Sequence, residues 1–310
     1  MDNQQLHNQQ LQNEKNFKTI GYSLFGMLLA VIVSQIFFSL FLVTAFPGIE
    51  YSIWFETLLI SIPFYLVGVP VFLAIINKVP SQEKRPKKNL SFKQMIVLFF
   101  VSMGATYVFN FVGNIINQII EGIKGSEVIN PLDTVINLSN IVPLIIVVVI
   151  LTPIIEEFVF RGVLLDKLRR FGDKTAIIFT ALVFGLFHGN FSQFFYAFAL
   201  GLIFAYITIK TNTIRYSIVL HMLVNLFGSV IMPMLVLGGD GTLLVIAGIL
   251  VLLFLIVGTV LFFKNLKKVK QDIKENYGGE DLNTDKLYNN RGMILFYALV
   301  TTTFISNIMG

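Results

Sequence analysis

Long apolar runs alternate with short polar or basic stretches along the whole chain. A helix needs about 20 apolar residues to cross the hydrocarbon of a bilayer. Ile20–Phe46, Ile53–Ile76 and Phe92–Ile120 meet that length. A fourth run extends from about Asn140 to about Leu165, and a fifth from Thr175 to His188. Phe194–Ile209, Ile214–Leu237 and Thr242–Phe263 follow, and Met293–Met309 makes a short ninth. The pattern predicts an all-α polytopic membrane protein with 8–9 transmembrane helices. Met1–Lys18 is polar and Gln/Asn-rich, unlike a cleavable signal peptide, and reads as a disordered tail. The expected divisions are the tail at 1–19, N-terminal helices at 20–135, a polar-bearing core at 136–237 and C-terminal helices with a basic loop at 238–310.

Charge adds an orientation. Lys78, Lys84, Arg85, Lys87 and Lys88 crowd one loop, and Lys167, Arg169, Arg170 and Lys174 another. With the N-terminus in the cytoplasm, these loops, Lys210–Arg215 and Lys264–Arg291 all fall inside. The outside loops, around Pro47–Tyr51, Glu121–Asp133, Gly189–Gln193 and Gly238–Gly241, then hold a single lysine, Lys124. That asymmetry is what cytoplasmic loops of membrane proteins show.

Composition narrows the chemistry. Only 13 % of the 310 residues are charged and 55 % are hydrophobic, whereas a soluble domain carries about 25 % charged residues. The absence of cysteine removes disulfides, thiolate nucleophiles and Cys-ligated zinc. The basic loops lack an aromatic-interleaved face, so no nucleic-acid partner is expected.

Against this background, Thr152-Pro-Ile-Ile-Glu156-Glu157-Phe-Val-Phe-Arg161-Gly162 stands out, because ionisable groups inside a membrane segment are costly and mark function by default. At 1.5 Å of rise per residue, Glu156 lies roughly 16 Å from the inner end of its helix, His188 roughly 21 Å, and His221 and Asn225 roughly 9 and 15 Å. Three helices thus bring polar groups to a similar depth. Glu157 and Arg161, His221 and Asn225, and Phe184 and His188 are spaced i, i+4 and share helix faces. An intrahelical Glu157–Arg161 pair leaves Glu156 for chemistry, although spacing alone permits the reverse. The carboxylate suits a general base acting on water, and the histidines suit either a metal or an oxyanion. Pro153 is expected to distort its helix and free backbone carbonyls near the site. Taken singly, Glu157–Arg161 also reads as a structural ion pair and His188 as an interhelical hydrogen-bonding group. Asn114, Asn117 and Gln118 read as packing or cavity groups.

Glu156-Glu157-x-x-x-Arg161, Phe184-x-x-x-His188 and His221-x-x-x-Asn225, with Pro153 and Phe160-Arg161-Gly162, together resemble the CPBP family (CAAX protease and bacteriocin-processing, or Abi), which includes the type II CAAX prenyl endopeptidases. The resemblance covers roughly Ile141–Gly228. It implies a cavity open to the cytosol, water activation by Glu156 with help from His188, and an oxyanion held by His221 and Asn225. Glu157 joins the catalytic set, and Arg161 and Phe184 support it. Members are commonly described as metalloproteases, so Glu156, His188 and His221 are candidate ligands of Zn2+, without the His-Glu-x-x-His helix of soluble zinc proteases.

The expected function is an intramembrane endopeptidase, multi-pass in a bacterial cell membrane, acting on a membrane-associated or C-terminal peptide. Two other classes compete: a non-enzymatic bacteriocin-immunity or scaffold protein using the same fold, and a transporter. No inverted repeat of the kind many transporters carry is visible.

Overall fold

The computed structural model describes residues 3–49, 53–82, 85–128, 130, 141–276 and 284–309. Among them there is no strand, and the all-α polytopic reading holds. We number the helices α1 (Asn3–Ala45), α2 (residues 53–76), α3 (Phe92–Lys124), α4 (residues 142–168), α5 (Asp173–Phe187), α6 (Phe191–Thr211), α7 (residues 215–237), α8 (Gly241–Asn276), α9 (Asp285–Tyr288) and α10 (Arg291–Met309).

Seven helices among the described residues are long and apolar enough to cross a membrane, rather than the expected eight or nine. The difference falls on the fourth and fifth predicted spans. α5 has only 15 residues, or roughly 22 Å of rise. α4 is not a uniform α-helix: wider π-type turns at Leu144–Leu151 and Phe158–Leu164 flank a short regular stretch, Thr152–Glu157. The expected start of the fourth span at Asn140 and part of the Glu121–Asp133 loop lie outside the described residues. The ninth span is present as α10.

Two expectations at the chain's polar stretches are corrected. The tail is not irregular: α1 starts at Asn3 and runs unbroken into the first span. Gln, Leu, Glu and Lys are good helix formers, and the following span supplies a ready-made helical turn to extend. Asn16 and Phe17 are buried, and Glu14 pairs with Lys286 at 3.0 Å. Likewise the basic stretch after Phe263 is helical through Asn276, so its five lysines from Lys264 to Lys274 decorate the end of α8 rather than a loop.

The chain divides into two compact units, residues 1–82 with 280–303, and residues 83–279 with 304–310. In the first, α1 packs on α2 and meets the start of α10 at Gly21 and Gly292; a Cβ on Gly292 would stand 2.3 Å from the Tyr22 nitrogen. In the second, α6 packs against α3 and α5, and α3 crosses α8 at Gly104 and Gly258. Small residues let membrane helices approach this closely where there is no hydrophobic effect to drive them together. Met103, Leu200, Phe204, Leu220, Val224 and Phe254 fill the resulting core. Asn117, as expected of a packing group, donates to the Ser192 hydroxyl of α6 at 2.8 Å.

A strap of residues 85–90 ties the α4–α7 ends of this unit. Arg85 reaches Asp173 at 3.2 Å, Lys88 N–H donates to the Thr211 carbonyl at 2.8 Å, and Leu90 N–H donates to the Tyr216 hydroxyl at 2.9 Å. Asn212, at φ 51°, returns its amide to the Pro86 carbonyl and accepts from Arg169.

Candidate active site

The site is built on α4, whose two π-type segments leave Glu156 and Glu157 on the regular stretch between them. Such wide turns are rare and recur at functional sites. Glu157 is completely buried, and its Oε1 accepts from Arg161 Nη1 at 2.9 Å, the intrahelical pair that the spacing predicts. The Arg161 guanidinium, also buried, lies 4.2 Å from the centre of the Phe184 ring and 5.6 Å from that of Phe204. Its Nε and Nη2 have no hydrogen-bond acceptor among the described residues, so the two aromatic faces cover much of the charge.

α7 runs antiparallel to α4 and grips it at two points. His221 Nδ1 meets Glu157 Oε1 at 3.0 Å, while its Nε2 faces Glu156 Oε2 at 3.7 Å. Glu157 is held by Arg161 as an acceptor, so His221 Nδ1 carries the proton of this hydrogen bond. One turn later, Asn225 Nδ2 donates to the Val148 carbonyl at 2.8 Å. Farther along, Val230 and Leu226 of α7 pack with Leu144 and Val149 of α4.

His188 closes α5 at its C-cap. Its Nδ1 is 2.9 Å from the Phe184 carbonyl, which can only accept, so Nδ1 is the protonated nitrogen and Nε2 offers a lone pair. Gly189, at φ 67°, turns the chain, and Asn190 caps α6 by accepting from Gln193 N–H at 2.9 Å. The Asn190 amide also donates to the His188 carbonyl at 2.7 Å, which fixes the turn that presents the histidine. The Phe184 ring lies edge-on to both imidazoles, 5.1 Å from His188 and 5.9 Å from His221.

Glu156 differs from its neighbour. Its side chain is 17 % exposed against 0 % for Glu157, and it makes no hydrogen bond among the described residues. The sequence-derived residues Glu156, Glu157, Arg161, Phe184 and His221 are therefore one contiguous cluster, with His188 against Phe184. Asn225 places one of its two amide hydrogens on a backbone carbonyl of α4. Phe204, which covers Arg161 and stacks near His221, carried no sequence signal because it is one of 31 phenylalanines. Asn190 was legible in principle from its position three residues before Gln193.

Among the described residues no group of three or more His, Cys, Asp or Glu side chains is placed to hold a metal ion. His188 and His221 both commit Nδ1 elsewhere and Glu157 is committed to Arg161, which leaves the two Nε2 atoms and the Glu156 carboxylate uncommitted, with Glu156 and His221 Nε2 3.7 Å apart.

Residues 138–227 match the family model described as type II CAAX prenyl endopeptidase Rce1-like. The chain is 26 % identical over 219 residues to the membrane-embedded CAAX protease MroQ of Staphylococcus aureus (strain USA300), a match covering 66 % of this chain and 87 % of that one. It is 28 % identical over 176 residues to YdiL of Bacillus subtilis (strain 168), a candidate membrane peptidase by its name, covering 54 % of this chain and 68 % of that one. No solved structure matches the chain significantly. The family match spans every residue of the cluster from Glu156 to Asn225. With its apolar spanning helices the chain is an integral multi-pass membrane protein, and its segment 138–227 is similar to the Rce1-like type II CAAX prenyl endopeptidases.

Proposed function

We propose that the chain is an intramembrane endopeptidase that hydrolyses a peptide bond of a membrane-associated substrate with water activated at Glu156. The observation that carries this reading is the pair of unequal carboxylates on either side of His221. Glu157 is buried, with Oε1 paired to Arg161 and His221 and Oε2 enclosed without a partner, whereas Glu156 is partly open and unbonded among the described residues. A general base must have a free oxygen within reach of water, and of the two carboxylates Glu156 is the one with any exposure.

In the proposed reaction, Glu156 takes a proton from water as the oxygen adds to the scissile carbonyl carbon. His188, with its lone pair on Nε2, accepts the water's other hydrogen and orients it. Glu157 and Arg161 hold His221 in the tautomer whose Nε2 faces Glu156. The abstracted proton passes to His221 Nε2, steadies the oxyanion there and then goes to the departing amine as the C–N bond breaks. No step runs through a metal. The family match supports the reaction class, and the substrate remains described by its chemistry: a peptide delivered to a site in a membrane-spanning bundle.

The test compares peptide termini of membrane and secreted proteins in cells carrying native or Glu156→Gln protein at matched expression. New termini that require the native carboxylate are expected. Termini that persist unchanged with Glu156→Gln overturn the assignment.

A further inference from the structure

The Val148 carbonyl has no backbone partner, and the sequence explains why. In a regular α-helix it would accept from Thr152 N–H, four residues on. Here the turn is widened, and Thr152 N–H donates to the Val147 carbonyl instead, five residues back. In that register Val148 would accept from residue 153, which is proline and has no N–H. Neither register serves the carbonyl, at a depth where apolar surroundings make an unpaired one costly. Among the described residues the group that meets it is the Asn225 amide, at 2.8 Å from the facing helix.

We propose that Asn225 is a positioning residue, which seals the carbonyl orphaned by Pro153 and so holds the α4 stretch bearing Glu156 and Glu157 against α7. This deepens the endopeptidase reading and rests on it for the catalytic consequence. Two neighbouring ties share the task. His221 grips Glu157 from one turn earlier on the same face of α7, and Leu226 and Val230 anchor the far side. Asn225 sits between them and contacts α4 five residues before the proline. Losing it leaves the wide turn with an unmet acceptor and lets the segment shift along α7. A displacement of about 1 Å at a reacting group costs on the order of 100-fold in rate. The family resemblance implies an oxyanion role for both side chains; the bond to Val148 gives Asn225 a task on α4 that His221 does not share.

The proposal makes Asn225 and Pro153 interdependent, and a double-mutant cycle reads that dependence. Asn225→Ala, Pro153→Ala and the double variant are compared as purified full-length proteins by thermal midpoint in detergent. In cells the readout is the rate at which Glu156-dependent termini appear. Replacing Pro153 by alanine supplies the missing N–H at residue 153. Asn225→Ala is expected to lower both the midpoint and the rate, the rate by on the order of 100-fold. In the Pro153→Ala background the same change is expected to cost less than about a tenth as much in rate and little in midpoint.

An equal cost in rate in both backgrounds means that the amide acts on the substrate, and overturns the proposal. So does an equal cost in midpoint, or absence of cleavage from both Pro153→Ala and Pro153→Ser, since each restores an N–H. If the Glu156-dependent termini themselves fail to appear, the endopeptidase reading fails. The midpoint cycle still decides the Asn225–Val148 tie.

Discussion

Arg161 is the residue on which the cluster's cohesion depends most. It places a fully buried guanidinium against a fully buried carboxylate, and stacks the planar group on Phe184. Arg161→Ala leaves Glu157 buried without its counter-charge, an effect that costs about 3–5 kcal/mol where one partner of a buried pair is removed. The variant is expected to lose most of its folded fraction in detergent, measured by thermal melt and by size-exclusion. Phe184→Leu keeps the ion pair and removes the ring, for about 0.5–2 kcal/mol; an effect as large as that of Arg161→Ala would show that the stacking is not secondary. At the carboxylate proposed as the general base, Glu156→Gln keeps size and polarity but cannot take a proton, so cleavage is expected to fall by about 10²–10⁴-fold. Chelators applied to the purified native protein are expected to leave cleavage of an identified substrate intact. Loss on chelation with recovery on adding zinc would sink the metal-independent route.

The same residues show how far the sequence could be read. Glu157–Arg161 was legible because i, i+4 spacing needs only a helix. That His221 would share a layer with the carboxylates was legible from depth, whereas its contact with both of them is seen only in the fold. The choice of Glu156 as the free carboxylate needed the fold, because only the burial of Phe184, Phe204 and Arg161 on one side makes Glu157 the enclosed one. The partner of Asn225 was out of reach: it is a backbone carbonyl whose availability depends on a local π register that side-chain pattern does not encode.

At the scale of elements, close helix crossings hold the second unit's α3 and α8 together. A Cβ on Gly258 would lie 2.4 Å from the Phe100 carbonyl oxygen, and one on Gly104 would lie 2.9 Å from the Gly258 Cα. These neighbours are backbone and cannot swing aside. Gly258→Val is expected to force α8 off α3 and lower the thermal midpoint, by the equivalent of about 1–3 kcal/mol. Gly248, on the same helix, has nothing within 4 Å of a built Cβ, so Gly248→Val is the matched control and should melt with the native protein. Equal melting of the two variants would mean that the crossing tolerates side chains. α4 and α5 also explain why the span count fell below the pattern's eight or nine. The two predicted spans outside the seven are the run that carries Glu156, Glu157 and Arg161 between π-type turns and the 15-residue helix that ends at His188. Hydropathy sees apolar content, but not that a helix is short or widened where it serves a site.

For the whole molecule, the distribution of Lys and Arg makes one prediction that reaches the proposed function: the strap, the α4–α5 turn and the basic end of α8 are expected to face the cytoplasm. α3 offers a direct test, because it is 33 residues long, roughly 50 Å of rise, and exceeds the hydrocarbon thickness of about 30 Å. Its two ends therefore emerge on opposite sides. Lys87 precedes it on the exposed strap, and Gly122 lies near its other end with nothing within 4 Å of a built Cβ. The chain has no cysteine, so Lys87→Cys and Gly122→Cys each introduce a unique thiol without a background to subtract. A membrane-impermeant maleimide added to intact cells is expected to label Gly122→Cys and to leave Lys87→Cys unlabelled until the cells are opened. The reverse pattern would invert the topology. The depths of Glu156, His188 and His221 would then be counted from the outer surface, and substrate would have to reach Glu156 from outside the cell. Orientation, more than any single distance in the cluster, decides which population of peptides this carboxylate can meet.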